Sequence, residues 1–244
     1  MPVELNKRPA EAALAIEVLR EHSLATLTHQ ELARRIISGE ITAGTKLNEV
    51  DVASVFGVSR GPVREAFRAL GQAGLVRVEK NRGVFVRQVS LDEANEFYEV
   101  RAALEGLIGK LAARRIAIDE IEQLRGVVRR MQQLHKVRRA EDYFALNVEF
   151  HDLLARAARN NALLVHYRGV VNQLDLYRRA TISRGLENIP LSTKEHEAIV
   201  DAVAARDERR AETLLTEHVL GSRARLNAAL GIPANLKPAR ANAR

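Results

Sequence analysis

Apolar positions fall into two regimes along the chain. Between residues 28 and 89 they form short stripes broken by glycine; from residue 90 to 231 they recur with helical spacing almost without interruption. In the first regime, Leu32, Ile36 and Ile37 of THQELARRIIS predict a helix over 28–38. Thr28 reads as its N-cap, Glu31 as the partner in a capping box, and Gly39 as its end. Residues 41–47 read as a turn and a short extended segment. A second helix is predicted over 49–56, with Val52, Val55 and Phe56 inward, followed by a turn at Gly57, where a positive φ is cheap only for glycine. Ser59 caps a third helix, Pro62 sits in its first turn, Val63, Phe67 and Leu70 form its buried side, and Gly74 closes it. Leu75, Val76 and Val78 then alternate with Arg77 and Glu79, and Val84 and Val86 bracket Phe85 around a turn at 79–83, the pattern of a β-hairpin with a basic tip. Three helices and such a hairpin make a winged helix-turn-helix.

The second regime opens with SLDE at Ser90, a further capping box. Helices are predicted at about 91–116, 119–138, 142–158, 161–184, 192–205 and 208–230, with Ser90, Asp119, Asp142, Ser192 and Asp207 as N-caps. Breaks fall near Ile118, Arg139/Ala140, Asn160, 185–190 and Arg206. Six helices with short connections imply an antiparallel bundle. The fold expected is therefore mainly α: an N-terminal winged helix-turn-helix plus a C-terminal antiparallel six-helix bundle. Its parts are a helical extension over 1–27, a DNA-binding domain over 28–89, a ligand-binding and dimerisation domain over 90–231, and a disordered basic tail over 232–244.

Composition narrows the partners. The 244 residues are 46% hydrophobic and 28% charged, with a formal net charge of +7. That favours polyanions such as nucleic acid. Residues 28–90 carry ten Lys/Arg against six Asp/Glu. No cysteine is present, which excludes disulfides, thiolate metal sites and cysteine nucleophiles. Aromatics are 4% with no Trp, which argues against base-stacking platforms for single strands. No signal-peptide core and no run of about 18 apolar residues occurs, so a cytoplasmic chain without membrane spans is expected.

The third helix places Arg60 and Arg64 one turn apart. Arginine bonds guanine O6 and N7 bidentately, and a helix of this kind lies in the major groove of DNA. Ser59 at the helix N-terminus suits a phosphate, and Arg82 and Gly83 at the wing tip suit the minor groove or backbone. A lone pair of surface arginines is more often simply solvated; the ordered series of turn glycine, first-turn proline and basic wing raises this pair above that level.

The bundle carries a second set. Asn147 and His151 lie four apart on one helix face, His196 on the next-to-last helix and His218 on the last. Each histidine has apolar neighbours at helical spacing, which turns it inward. Read one by one they are core histidines with backbone partners; read together they suit a divalent ion, since imidazole binds zinc, nickel or iron. His22, His29, His135 and His166 lack such a pattern and read as surface positions. Arg101 shares a face with Glu105. This is either an i,i+4 ion pair of the weaker orientation, worth a few tenths of a kcal/mol, or an arginine poised for a ligand carboxylate. Tyr98, Tyr143, Tyr177 and Arg178 are further pocket candidates.

GVSRGPVREAFRALGQAGLV followed by KNRGVFV resembles the winged helix of GntR-type bacterial transcription regulators. YEVRAALEG, the FH pair, EHEAIV and the closing-helix histidine resemble the all-helical effector domain (FCD) of the FadR subfamily. The likeness covers about residues 28–230. It implies DNA contacts at Ser59, Arg60, Gly61, Arg64 and Gly83, and a homodimer on an inverted-repeat operator. It implies a repressor, a small organic-acid effector met by Arg101, and a divalent metal, zinc or nickel, on Asn147, His151, His196 and His218. Two departures stand out. Val50 occupies a position where several members carry a basic phosphate contact. Asn147, whose amide oxygen is a weaker and neutral ligand, stands where the family often has Asp. Two other readings compete: a metal-dependent hydrolase with a DNA-binding appendage, opposed by the orientation expected for Glu149, Glu195 and Glu217 beside the histidines, and an architectural DNA binder of low sequence preference.

Overall fold

The computed structural model describes residues 23–134, 140–181 and 188–232. The chain separates into two compact units, one ending at Gln88 and the other starting at Val89. Residues 1–22, with His22, together with His135 and the tail from residue 233 lie outside the described residues, as do the ends expected at residues 138 and 184 for two helices.

The first unit runs α1 (Leu24–Ile37), β1 (Lys46–Leu47), α2 (Glu49–Phe56), α3 (Arg60–Gln72), β2 (Val76–Glu79) and β3 (Gly83–Val86). β3 is the middle strand, antiparallel to both neighbours, with Lys46 and Arg77 each opposite Phe85 and Glu79 opposite Gly83. The extended segment predicted at 41–47 thus supplies a third strand to the predicted hairpin. α1 packs on α3, and Leu32, Ile36, Val63, Ala66, Phe67 and Leu70 close the core with Leu75, Val76 and Val86 from the sheet. Gly57 adopts φ +64 and ends α2, the left-handed turn that only glycine takes without strain.

Two expectations are corrected here. α1 begins at Leu24 with Ser23 as N-cap, the Ser23 hydroxyl accepting from Thr26 N. Thr28 is instead buried within the helix, its hydroxyl donating to the Leu24 carbonyl at 2.6 Å. Glu31, read as its capping partner, accepts from Arg34 and Arg35. The Thr-x-x-Glu spacing was met inside the helix, where both side chains found other partners. In α2 the buried residue is Ala53, while Val55 is 68% exposed. Phe56 is half-buried and carries the Arg35 guanidinium over its ring.

The second unit holds the six expected helices: α4 (Leu91–Arg115), α5 (Ile118–Leu134), α6 (Ala140–Ala157), α7 (Asn161–Thr181), α8 (Ile189–Ala204) and α9 (Glu208–Ala229). Ser90 and Glu93 form the full reciprocal capping box that opens α4, and Asp207 caps α9 through Arg210 N. Asp119, Asp142 and Ser192 are corrected: all three lie inside helices that begin earlier. Asp119 and Asp142 occupy first turns, where a negative charge favours the helix dipole without capping it. Glu120 reaches back to Ala117 N, and Asn188 precedes α8, with Pro190 in its first turn.

α4 and α9 form the most extensive helix pair. A Cβ at Gly109 would lie 2.6 Å from the Ala211 carbonyl oxygen, and one at Gly106 would lie 2.5 Å from Thr216 Oγ1. Only glycine permits that approach, which brings the α4 residues Arg101 and Glu105 beside His218 of α9. The main core gathers Ile108, Leu124, Met131, Phe150, Leu154, Ile199, Val203 and Leu215 from five of the helices.

Candidate DNA-reading face and histidine pocket

α3 is amphipathic, and with Val63, Phe67 and Leu70 buried, Arg60 and Arg64 face outward. Ser59 is the N-cap of α3 and its hydroxyl makes no capping bond; Gly61 is exposed in the first turn. Both arginines are held by one carboxylate that sequence reasoning passed over. Glu49 Oε2 accepts from Arg64 Nε at 2.8 Å and from an Arg60 terminal nitrogen at 3.2 Å. The Arg64 bond, with the Arg60 bond in support, holds the Glu49 carboxyl below its usual range. Val50, next to Glu49, is exposed.

The wing gathers more positive charge than its tip alone. Lys46, Arg77 and Arg82 each place their cation 5.9 Å from the Phe85 ring centroid, and Glu79 pairs with Arg77 and Arg82. Arg82 is exposed at the turn and Gly83 opens β3. Neither Lys46 nor Arg77 was among the DNA contacts expected from the sequence. The signal was cross-strand register: both flank Phe85 on one sheet face, which strand alternation alone does not reveal.

In the helical unit, His151 on α6, His196 on α8 and His218 on α9 converge. One nitrogen from each lies within 4.8 Å of the others, and all three side chains are buried. Asn147, one turn before His151, is buried too. Phe150 packs beside His196 with ring centroids 4.4 Å apart and walls one side. His29 is half-buried and His166 exposed.

Two carboxylates orient the rings. Glu195 Oε2 lies 2.7 Å from His218 Nδ1, and Arg225 donates to both Glu195 oxygens. A carboxylate only accepts, so His218 Nδ1 carries the proton and Nε2 keeps its lone pair. Glu105 Oε2 lies 2.7 Å from His151 Nδ1, a short approach that is poorly aligned for a hydrogen bond. Glu105 Oε1 accepts from Arg101 Nε at 2.7 Å. Sequence reasoning turned Glu195 away from the histidines; this is corrected. It is angularly displaced from His196 on its own helix yet reaches His218 on the next one.

Burial sets the protonation. Desolvation pushes His151 down to about 4 against the opposing pull of Glu105, and pushes His196 well below the ordinary histidine range, aided by its two histidine neighbours. His151 and His196 are therefore offered to a ligand as neutral rings. Burial pushes the Glu105 carboxyl up, but the Arg101 charge beside it, with His151 Nδ1 in support, outweighs it and holds it well below the usual range. Arg101 and Glu105 are 3% and 2% exposed, so the pair is no solvated i,i+4 contact. Both nitrogens of His196 and Nε2 of His151 are buried without a hydrogen-bond partner among the described residues. Such orphans are costly, about 1–3 kcal/mol each, and converging lone pairs of this kind fit a divalent ion.

Among the other candidates, Tyr98 is fully buried, Tyr143 is buried with Thr193 at 3.5 Å from its hydroxyl, Tyr177 is half-buried, and Arg178 stacks on Phe144 at 5.0 Å. Tyr167 of α7, buried, lies close enough to sense Glu105, Arg101 and the buried Asp175 of its own helix, and was not anticipated. No helix among the described residues is long and apolar enough to cross a membrane.

A winged helix presenting paired arginines, joined to a helical bundle, defines a DNA-binding transcription regulator. The gntR family of bacterial regulatory proteins matches residues 24–86, and the FCD domain matches residues 96–221. The "Probable D-xylose utilization operon transcriptional repressor" of Paenarthrobacter nicotinovorans is 32% identical over 203 residues, covering 82% of this chain and 88% of that protein. The "Gluconate operon transcriptional repressor" of Bacillus licheniformis is 28% identical over 181 residues, covering 72% of this chain and 74% of its own. The solved structure of E. coli McbR/YncC shares the fold, with a TM-score of 0.74 at 19% identity over 86% of this chain and 99% of that one. The chain belongs to the GntR family of transcription regulators and carries an FCD domain. Relatives and fold are those of regulators, not enzymes, which sets the hydrolase reading aside.

Proposed function

We propose that this regulator is a repressor whose operator affinity is set by a small organic acid bound at a metal-containing pocket in the helical unit. The observation that carries the reading is the convergence of three buried imidazoles, two of them, His151 and His196, with orphaned nitrogens. His151, His196 and His218, with the Asn147 amide oxygen, would hold a divalent ion, zinc or nickel. That ion would supply a Lewis-acidic centre for the effector's carboxylate. Glu195 fixes the orientation of the His218 ring, Glu105 stands against His151 Nδ1, and Phe150 keeps water from one wall. Arg101 commits Nε to Glu105 and would turn its remaining nitrogens to the effector. Gluconate, in the name of one relative, is a carboxylate of the class this site would take. The repressor sign rests on the names of the relatives. On DNA, Ser59, Arg60, Gly61, Arg64, Arg82 and Gly83 would make the contacts, with Lys46 and Arg77 adding phosphate neutralisation. A homodimer in the cytoplasm would read an inverted repeat, one winged helix per half-site.

Calorimetric titration of chelator-treated protein with zinc tests the pocket. One zinc per chain is expected for the wild type and none for His196→Ala. Equal uptake by both would remove the pocket from the account.

A further inference from the structure

Glu49 lies in the first turn of α2, where an acid favours the helix dipole. Its side chain does something else as well. One oxygen, Oε2, takes both reading arginines of the next helix, and it takes them through different atoms.

Arg64 donates through Nε. The opposite edge of that guanidinium, the NH1–NH2 fork, stays outside the ion pair. That fork is the edge that meets guanine O6 and N7 end-on in bidentate recognition. Arg60 donates through a terminal nitrogen, so its end-on fork is half taken. The same carboxylate thus leaves one arginine ready for a base edge and leaves the other suited to a single contact. Arg60 and Arg64 are 58% and 53% exposed and Glu49 is 31% exposed, so the pairing sits at the surface that DNA would meet.

A carboxylate at that surface has a second consequence. It repels phosphate, so a complex in which neither arginine finds its base retains an unfavourable charge. A complex in which Arg64 finds guanine keeps the Nε bond and gains two more. Discrimination between right and wrong sequences grows from both effects. Resting on the DNA-reading function argued above, we propose that Glu49 is a positioning residue for sequence recognition. It makes Arg64 the bidentate guanine reader, assigns Arg60 to a single base or phosphate contact, and penalises non-specific binding.

The test uses full-length protein and double-stranded DNA. Selection from a randomised duplex library defines the preferred duplex of the wild type, and a scrambled duplex of the same composition is the reference. Affinities for both are read by fluorescence anisotropy across a salt series for the wild type, Glu49→Gln, Arg64→Ala and Asp51→Asn. Asp51 shares the first turn of α2 without an ion pair to either arginine among the described residues, so Asp51→Asn removes an equivalent helix-dipole charge and nothing else.

Glu49→Gln is expected to lower the ratio of preferred to scrambled affinity by about tenfold, the scale of one bidentate contact. It should bind the scrambled duplex more tightly than wild type, and repeat selection should relax preference at the same guanine that Arg64→Ala relaxes. Asp51→Asn should leave the ratio at the wild-type value. An unchanged ratio for Glu49→Gln, or an equal fall for Asp51→Asn, overturns the assignment while the regulator reading stands. If the wild type enriches no sequence at all, the sequence-specific reading falls and the role of Glu49 with it.

Discussion

Two Arg–Glu pairs with the same chemistry sit in opposite surroundings. Glu49 holds Arg60 and Arg64 in the winged helix, where the three side chains are 31%, 58% and 53% exposed. Glu105 holds Arg101 in the helical unit, where the two are 2% and 3% exposed. The first pairing is weak: water screens it, so its arginines can take a further acceptor, and its loss costs the fold little. The second is fixed: neither charge can leave its partner without standing alone in a medium that cannot solvate it. The contrast matches what each unit has to do. A reading head must keep its arginines at the surface and open to a second acceptor, whereas a pocket must hold its rings and charges in one arrangement.

The sharpest break of this contrast is the removal of one partner from each pair. Glu105→Ala strands the buried Arg101 charge and should cost about 3–5 kcal/mol, read as the urea midpoint of the helical unit. Glu49→Ala should leave the unfolding midpoint where it is. Equal shifts would mean that burial does not separate the two pairs.

The second effect is acid sensitivity of the helical unit. Burial pushes His151 down to about 4 in the folded state, below the ordinary histidine value of about 6.5, and displaces His196 in the same direction. Between those values the unfolded chain binds more protons, so the stabilisation is complete above pH 6.5 and is lost as pH falls toward 4. For His151 this amounts to a loss on the order of 3 kcal/mol. Denaturant melts of metal-free protein at pH 7, 5.5 and 4 check it, and a flat profile across that window would show that the rings are not held neutral.

The smallest effect separates a true cap from an apparent one. Ser90→Ala removes a reciprocal box and should cost about 1 kcal/mol. Thr28→Val removes only a hydroxyl bond to the carbonyl one turn back and should cost less. Thermal melts of the two variants rank them, and the reverse order would restore Thr28 as the cap.

These cases also mark how far the sequence could be read. Gly57, Pro62, the box at Ser90 and the hairpin were legible because each is a local requirement: a backbone angle, a missing N–H, a pair of atoms three residues apart. Convergence of the histidines was legible because apolar spacing set each one inward. What the histidines lean on was not. Glu195 and His218 are on different helices, as are Glu105 and His151, and helical spacing orders residues within a helix only. Glu49 escaped for the same reason, since its partners lie across the turn. Val55 was misplaced because α2 carries apolar residues on more than one face and only its packing partners decide which is buried.

The account stands most directly on coupling between the two units. Operator affinity should be measured on a library-selected duplex by anisotropy, for chelator-treated protein and again with zinc plus citrate as the probe carboxylate, in the wild type and in His196→Ala. The account predicts that zinc and citrate together change wild-type affinity about 5- to 150-fold, the usual range of such coupling, and leave the variant unmoved. The same change in both proteins would contradict it.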